Sequence, residues 1–166
     1  MSTQSDTTSD LQRHLLRHIL ATLAYRAAKV IDGAPSDFGT FRTSETTRAA
    51  GEIVSHLGDL MVWANSMARG AQVWPKSELR SWDEDVARFF SALKEFDSYL
   101  ATDAALNAPA ERLLQAPIAD ALTHVGQIAL LRRVAGAPIR GENYYEAEIV
   151  VGRVGAEQSG KRVEFD

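Results

Sequence analysis

Apolar residues recur at helical spacing in four stretches of the chain, and segments rich in Gly, Pro and polar residues separate these stretches. The first stretch begins at Leu11 and the last ends before Pro138. Such spacing collects apolar side chains on one face of a helix. The pattern predicts an all-α protein, a four-helix bundle. The predicted helices lie near residues 11–32, 44–69, 82–103 and 117–135.

The starts of three predicted helices carry capping signals. Ser81 is followed three residues later by Glu84, which is the capping box that opens a helix. Ser44 or Thr43 supplies a hydroxyl that suits the N-cap of the second helix. Pro117 fits the first turn of the fourth helix, where its missing N–H group costs nothing.

The two ends of the chain differ from the bundle, which spans residues 11–139. Residues 1–10 contain no aliphatic or aromatic side chain beyond the initial Met, so they are predicted to form a disordered N-terminal tail. Residues 140–166 contain repeated glycines and no sustained helical face, which predicts an extended C-terminal arm. Its Tyr144 and Ile149 are too apolar for a free tail, so we expect the arm to cover the bundle or a second subunit.

Composition narrows the classes of function. The 166 residues are 45% hydrophobic, which suits one domain, and the chain has no cysteine for disulfides, thiolate metal sites or nucleophiles. A formal net charge of −4 with 18 scattered Lys and Arg argues against nucleic-acid binding. No apolar run approaches the ~20 residues that cross a bilayer. We therefore expect a cytoplasmic protein that contacts neither nucleic acid nor membrane.

Polar stripes interrupt the apolar surface of two predicted helices. Asp120 and His124 lie four residues apart in the fourth helix, and His56 lies in a stripe of the second helix with Glu52 and Asp59. Two ligands at i and i+4 can meet one ion, and a third from a facing helix completes the set. Imidazole and carboxylate ligands suit Zn²⁺, Ni²⁺, Fe²⁺ or Mn²⁺. His56, Asp120 and His124 are therefore the candidate ligands of a divalent metal.

Other interpretations of these residues stay open at this point. His56 and His124 also fit as hydrogen-bonded core histidines, and Asp120 as a carboxylate favoured by the dipole near a helix start. His14 and His18 have the same i, i+4 spacing in the first helix. They flank the apolar face and have no obvious third ligand, so we expect them to be exposed.

The fourth predicted helix contains HVGQI, followed by LLRRVAGAPI. These residues resemble the last core helix of the DinB/YfiT-like superfamily of metal-binding four-helix bundles, whose usual motif reads His-x-x-x-His-Arg-Gly-Gln. His124 matches the second histidine of that motif, Gly126 and Gln127 match its Gly-Gln, and Asp120 replaces its first histidine. His56 matches the histidine of a His-Leu pair on the second helix. The resemblance covers roughly residues 11–139.

The resemblance implies a DinB-like fold, a homodimer and a divalent metal held by His56, Asp120 and His124. It also implies a metal-dependent enzyme, which would be a thiol transferase, an isomerase or a hydrolase acting on a small molecule. Glu52 and Asp59 are candidate catalytic residues that could take a proton, bind the metal as a fourth ligand or orient an imidazole N–H; such acids are also often simply solvated. The alternative function is a non-catalytic bundle that binds a metal or a small molecule.

Overall fold

The computed structural model describes residues 3–158 and 162–165 and confirms an all-α four-helix bundle. Its α-helices are α1 (Thr3–Ile31), α2 (Ala50–Ala68), α3 (Trp82–Leu100), α4 (Ala110–Leu113) and α5 (Ala119–Val134). A short 3₁₀ turn, Phe38–Thr40, follows α1. A π turn, Leu114–Ile118, joins α4 to α5, so residues 110–134 form one continuous fourth helix.

The core lies between the four helices and is made of aliphatic and aromatic side chains. Its largest fully buried members include Leu20, Leu57, Phe89, Phe96 and Ile118. Burying a side chain of this size contributes about 1.5–3 kcal/mol each, so the bundle interior is the main source of stability. Within the described residues, no helix is both long enough and apolar enough to cross a membrane.

Helix α1 begins earlier than its sequence predicts. It starts at Thr3, so the part of residues 1–10 that the structure describes is helical, and the prediction of a disordered tail is corrected there. The physical reason is that extending a helix costs little once a buried segment, here the one from Leu16 onward, has formed it. Arg13 also donates a hydrogen bond to the carbonyl of Ala104 and ties this end to the bundle.

Helix α2 begins six residues later than predicted, whereas α3 begins where its capping box places it. The Ser44 segment forms its own turn, because the backbone N–H of Ser44 donates to the Thr47 hydroxyl at 3.1 Å. Ala49 is the N-cap of α2 instead of Ser44. The capping box of Ser81 and Glu84 is confirmed at the start of α3.

Pro117 lies inside the fourth helix, whereas the sequence predicts it in the first turn. The helix starts at Ala110, and the N–H of Ala119 reaches back to the carbonyl of Leu114, five residues earlier. The wider π turn accommodates a residue that has no N–H and would clash in a regular α-helix. This turn ends two residues before Asp120, which then lies at the start of a regular helix.

The C-terminal arm is fastened to α1 of the same chain. Its two short strands, β1 (Gly141–Glu142) and β2 (Glu164–Phe165), pair antiparallel. The buried Glu142 carboxylate accepts the Tyr25 hydroxyl at 2.5 Å and the Lys29 ammonium at 2.6 Å, and Lys29 also reaches Glu164 at 2.9 Å. Burial and then the hydrogen bond to Glu142 raise the pKa of Tyr25 to about 12, so its hydroxyl remains a donor at neutral pH. The homodimer stays a prediction.

Candidate metal centre

Three predicted ligands meet where α2 faces the first turns of α5. His56 comes from the second turn of α2, and Asp120 and His124 come from successive turns of α5. The Nε2 atom of His56 is 3.4 Å from one carboxylate oxygen of Asp120, and the two imidazole rings are 4.7 Å apart between centroids. The regular helix after the π turn gives Asp120 and His124 the i, i+4 relation on which the prediction depended.

The spacing of these groups fits a single ion. One ligand atom from each of His56, Asp120 and His124 lies within 4.8 Å of the others, and no other such group occurs within residues 3–158 and 162–165. Two ligand atoms in a tetrahedral zinc site are about 3.3 Å apart, given bonds of about 2.0–2.1 Å. The 3.4 Å between His56 Nε2 and the Asp120 carboxylate is close to that value. Two imidazoles and one carboxylate also form a donor set that suits divalent transition metals.

The hydrogen bonds of His124 assign its tautomer. Its Nδ1 atom is 2.9 Å from the backbone carbonyl of Asp120, and its Nε2 atom is 3.2 Å from the Arg48 guanidinium. A carbonyl only accepts and a guanidinium only donates, so Nδ1 carries the proton and Nε2 carries the lone pair. A backbone carbonyl bound to one ring nitrogen is a common way to orient a histidine that ligates through the other.

His56 is kept neutral by its surroundings. Burial lowers the pKa of its imidazole, and the neighbouring His124 and Arg48 lower it further, while Asp120 opposes both effects. The neutral imidazole is the form that binds metal ions, so the lowered pKa favours the ligating form of His56 at neutral pH.

We expect the metal-free protein to lose stability as the pH falls below the ordinary imidazole value of 6.5. The pKa of His56 is lower in the folded state, so the unfolded chain takes up the proton first and stability is retained only above that value. Urea unfolding at about pH 7 and about pH 5.5 measures this loss, and a His56→Gln variant should lose less. An equal loss in both proteins would exclude His56 as the source.

Arg48 is a residue of the site that the sequence did not reveal. It is exposed in the segment before α2, where no periodic pattern relates a side chain to a helix face. Its guanidinium contacts the lone pair of His124 Nε2, which is the atom that a metal would use. A fixed positive charge at this point repels a divalent cation, so Arg48 and a metal compete for the same nitrogen.

Replacing Arg48 with Gln is expected to strengthen divalent-metal binding about threefold to tenfold, because a partly exposed like charge is worth about 1 kcal/mol. Calorimetric titration of the metal-free protein with Zn²⁺ measures the effect. Arg42→Gln is the matched control, since it removes the same charge from the same segment. The Arg42 guanidinium pairs with Glu52 at 3.5 Å and not with His124. Weaker binding by the Arg48 variant would mean that this arginine supports the site.

The structure does not bring the two candidate catalytic acids into this group. The Glu52 carboxylate accepts the backbone N–H of Ala49 at 2.6 Å and so caps α2. The Asp59 carboxylate forms an ion pair with Arg88 at 2.8 Å, on the side of α2 that faces α3. Both acids share a helix with His56, but each already has a partner elsewhere. Helical spacing alone could not separate these structural roles from proton transfer.

The rival histidines of α1 and two of the matched motif residues of α5, Gly126 and Gln127, lie on the surface. His14 and His18 are exposed, as the sequence predicts, and neither belongs to the group of three ligands. Gly126 and Gln127 are exposed as well. Among the described residues, the only group of candidate metal ligands therefore lies between α2 and α5.

Two indole rings form one side of the site. The Trp74 ring lies 5.9 Å from the His56 ring, and the Trp63 ring lies 5.2 Å from that of Trp74, both between centroids. Trp74 belongs to the segment between α2 and α3 and is 46% exposed. The indoles shield His56 from solvent on this side, which agrees with the contribution of burial to its lowered pKa.

Fold and site together define a class: an all-α four-helix bundle with a His/Asp/His group between two of its helices. No family model, no curated protein and no solved structure matches the chain.

Proposed function

We propose that the protein is a divalent-metal-dependent enzyme of the DinB-like type that acts on a small molecule. His56, Asp120 and His124 would hold the ion, which would be Zn²⁺, Ni²⁺, Fe²⁺ or Mn²⁺. The observation that carries the proposal is that one ligand atom from each of these three side chains lies within 4.8 Å of the other two, although the residues come from two helices. The resemblance of HVGQI and of the His56-Leu57 pair to the DinB/YfiT-like motifs supports it further.

The donor set favours chemistry over a purely structural ion. Three protein ligands leave coordination positions for water or substrate, as in catalytic sites. A divalent ion held there would supply Lewis acidity toward an oxygen or sulfur atom of the substrate, which suits thiol transfer, isomerisation or hydrolysis. The chain's own residues fix the imidazole of His124 through the Asp120 carbonyl and keep His56 neutral.

A non-catalytic bundle that binds a metal or a small molecule is the second candidate. The observation that favours it is the engagement of Glu52 with the start of α2 and of Asp59 with Arg88. With both acids occupied, a reaction that needs a protein base would have to take the proton through Asp120 or through water.

Titration of the metal-free protein with Zn²⁺, Ni²⁺, Mn²⁺ and Fe²⁺ tests the proposal. We expect one ion per chain and a rise in Tm, because a ligand that binds only the folded state stabilises it. A screen of thiol-transfer, isomerisation and hydrolysis substrates should then find an activity that a chelator abolishes. Binding without activity would favour the second candidate, and the absence of binding would contradict the metal centre itself.

A further inference from the structure

A cavity of about 610 Å³ lies between the C-terminal half of α2 and the start of the fourth helix. Six of its lining residues give it its chemical character: Trp63, Met67, Gln72, Asn107, Arg112 and Gln115. Its volume lies in the range of small-molecule sites, which combine apolar walls with a few polar groups. We call it the Arg112 cavity.

The charge of the Arg112 cavity is positive and uncompensated. Arg112 is its one charged lining residue, and none of the described residues that line it carries a carboxylate. Among the described residues, no hydrogen bond or ion pair engages the Arg112 guanidinium. This contrasts with a chain of formal net charge −4, in which Arg17, Arg88 and Lys29 are all paired with acids.

The other lining groups fit the body of an organic acid. The Trp63 indole and the Met67 thioether offer an apolar and polarisable wall, while the side-chain amides of Gln72, Asn107 and Gln115 can donate and accept hydrogen bonds. A guanidinium binds a carboxylate through two parallel hydrogen bonds. We infer that the Arg112 cavity binds a small monocarboxylic acid, with its carboxylate on Arg112 and its apolar body against Trp63 and Met67.

The cavity and the candidate metal centre share the same two helices of the bundle. Trp63 follows His56 by seven residues, or about 10 Å along the helix axis. On the opposite side, Ala116 of the cavity wall precedes Asp120 by four residues. The ring of Trp63, which lines the cavity, lies 5.2 Å from the ring of Trp74, and the ring of Trp74 lies 5.9 Å from that of His56, both between centroids. The assignment of the acid as a substrate rests on the proposed function, whereas its binding does not.

Binding of hydrocinnamate and hexanoate to the metal-free protein tests the inference, with hydrocinnamamide and hexanamide as uncharged counterparts. The three tryptophans give three indole N–H signals in a ¹H–¹⁵N spectrum. We expect at least one of the two acids to shift the Trp63 signal and to leave Trp82 unchanged, because Trp82 packs against Phe38 and does not line the cavity. The amides and the Arg112→Gln variant should bind at least about tenfold more weakly.

Arg133→Gln is the matched control, because Arg133 is an exposed arginine of the same helix and lies outside the cavity lining. It should bind the acids as the unchanged protein does. The inference is overturned if neither acid binds, if amides bind equally well, or if both arginine variants lose the same affinity. Because the measurement uses metal-free protein, a failure of acid binding is distinguishable from a failure of metal binding.

Discussion

Replacing Arg132 with methionine is expected to lower the free energy of unfolding by about 3 kcal/mol. Arg132 is buried in α5 and donates to the carbonyls of Val30, Asp32, Gly33 and Ala137, at 2.9–3.0 Å. The Val30 carbonyl lies in the last turn of α1, those of Asp32 and Gly33 directly follow that helix, and that of Ala137 follows α5. A single guanidinium therefore bonds at the C-terminal ends of two helices. Methionine keeps the stem of the side chain and removes every donor. Urea unfolding followed by circular dichroism measures the difference.

The adjacent arginine provides the control for this substitution. Arg133 is exposed, so Arg133→Met removes the same charge and should change the unfolding free energy by less than about 0.5 kcal/mol. Arg132→Lys should recover only part of the loss, because one ammonium cannot reproduce the planar fork that reaches four carbonyls. Equal losses at positions 132 and 133 would mean that net charge, and not the bonding of Arg132, accounts for the effect.

The different roles of Arg132 and Arg133 illustrate a limit of periodicity. The sequence LLRRVAG places two leucines and two arginines side by side, and the structure buries Leu131 and Arg132 while it exposes Leu130 and Arg133. A hydrophobic pattern favours the leucines for the interior and both arginines for solvent. Arg132 is buried because open helix ends need donors there, and that need arises only once α1 and α5 have met.

The fold was more predictable than its helix ends. Four apolar periods and the Ser81–Glu84 capping box were enough to predict the bundle and the start of α3. The predicted start of the fourth helix was wrong, because a proline such as Pro117 usually marks the first turn of a helix. The π turn that accommodates Pro117 inside the helix departs from the 3.6-residue period and so could not be predicted from it. The predicted start of α2 was wrong because the Ser44 segment forms its own turn with Thr47, and the helix begins after Ala49, whose N–H donates to the Glu52 carboxylate.

The three candidate ligands were predictable for a simple reason. Asp120 and His124 lie four residues apart on a regular helix, and a bundle places α2 beside it. The contact between Arg48 and His124 was not predictable, because it depends on the path of the loop before α2, and no periodic pattern in the sequence predicts that path. The roles of Glu52 and Asp59 were not predictable either, because their partners come from the helix start and from α3.

Removing the imidazole of His124 is expected to weaken divalent-metal binding by more than about a hundredfold, which is the upper range for losing only a group that orients a ligand. His124→Ala deletes a ligand, so that only Asp120 and His56 remain to hold the ion. His56→Ala should have an effect of the same size, because it deletes the second imidazole from the facing helix. Elemental analysis after dialysis and calorimetric titration with Zn²⁺ both measure the change. The near-complete burial of His124 makes a fold check by circular dichroism necessary.

Three further variants separate ligand loss from unfolding and from loss of charge. Asp120→His places an imidazole where the DinB/YfiT-like motif that this segment resembles has a histidine, so it should retain metal binding, while Asp120→Ala should lose it. His14→Ala should bind as the unchanged protein does, since His14 is exposed on α1. If His14→Ala lost the ion and His124→Ala kept it, the site would move to α1. If a folded His124→Ala protein bound Zn²⁺ with unchanged affinity, His124 would be only a core histidine held by Arg48 and the Asp120 carbonyl.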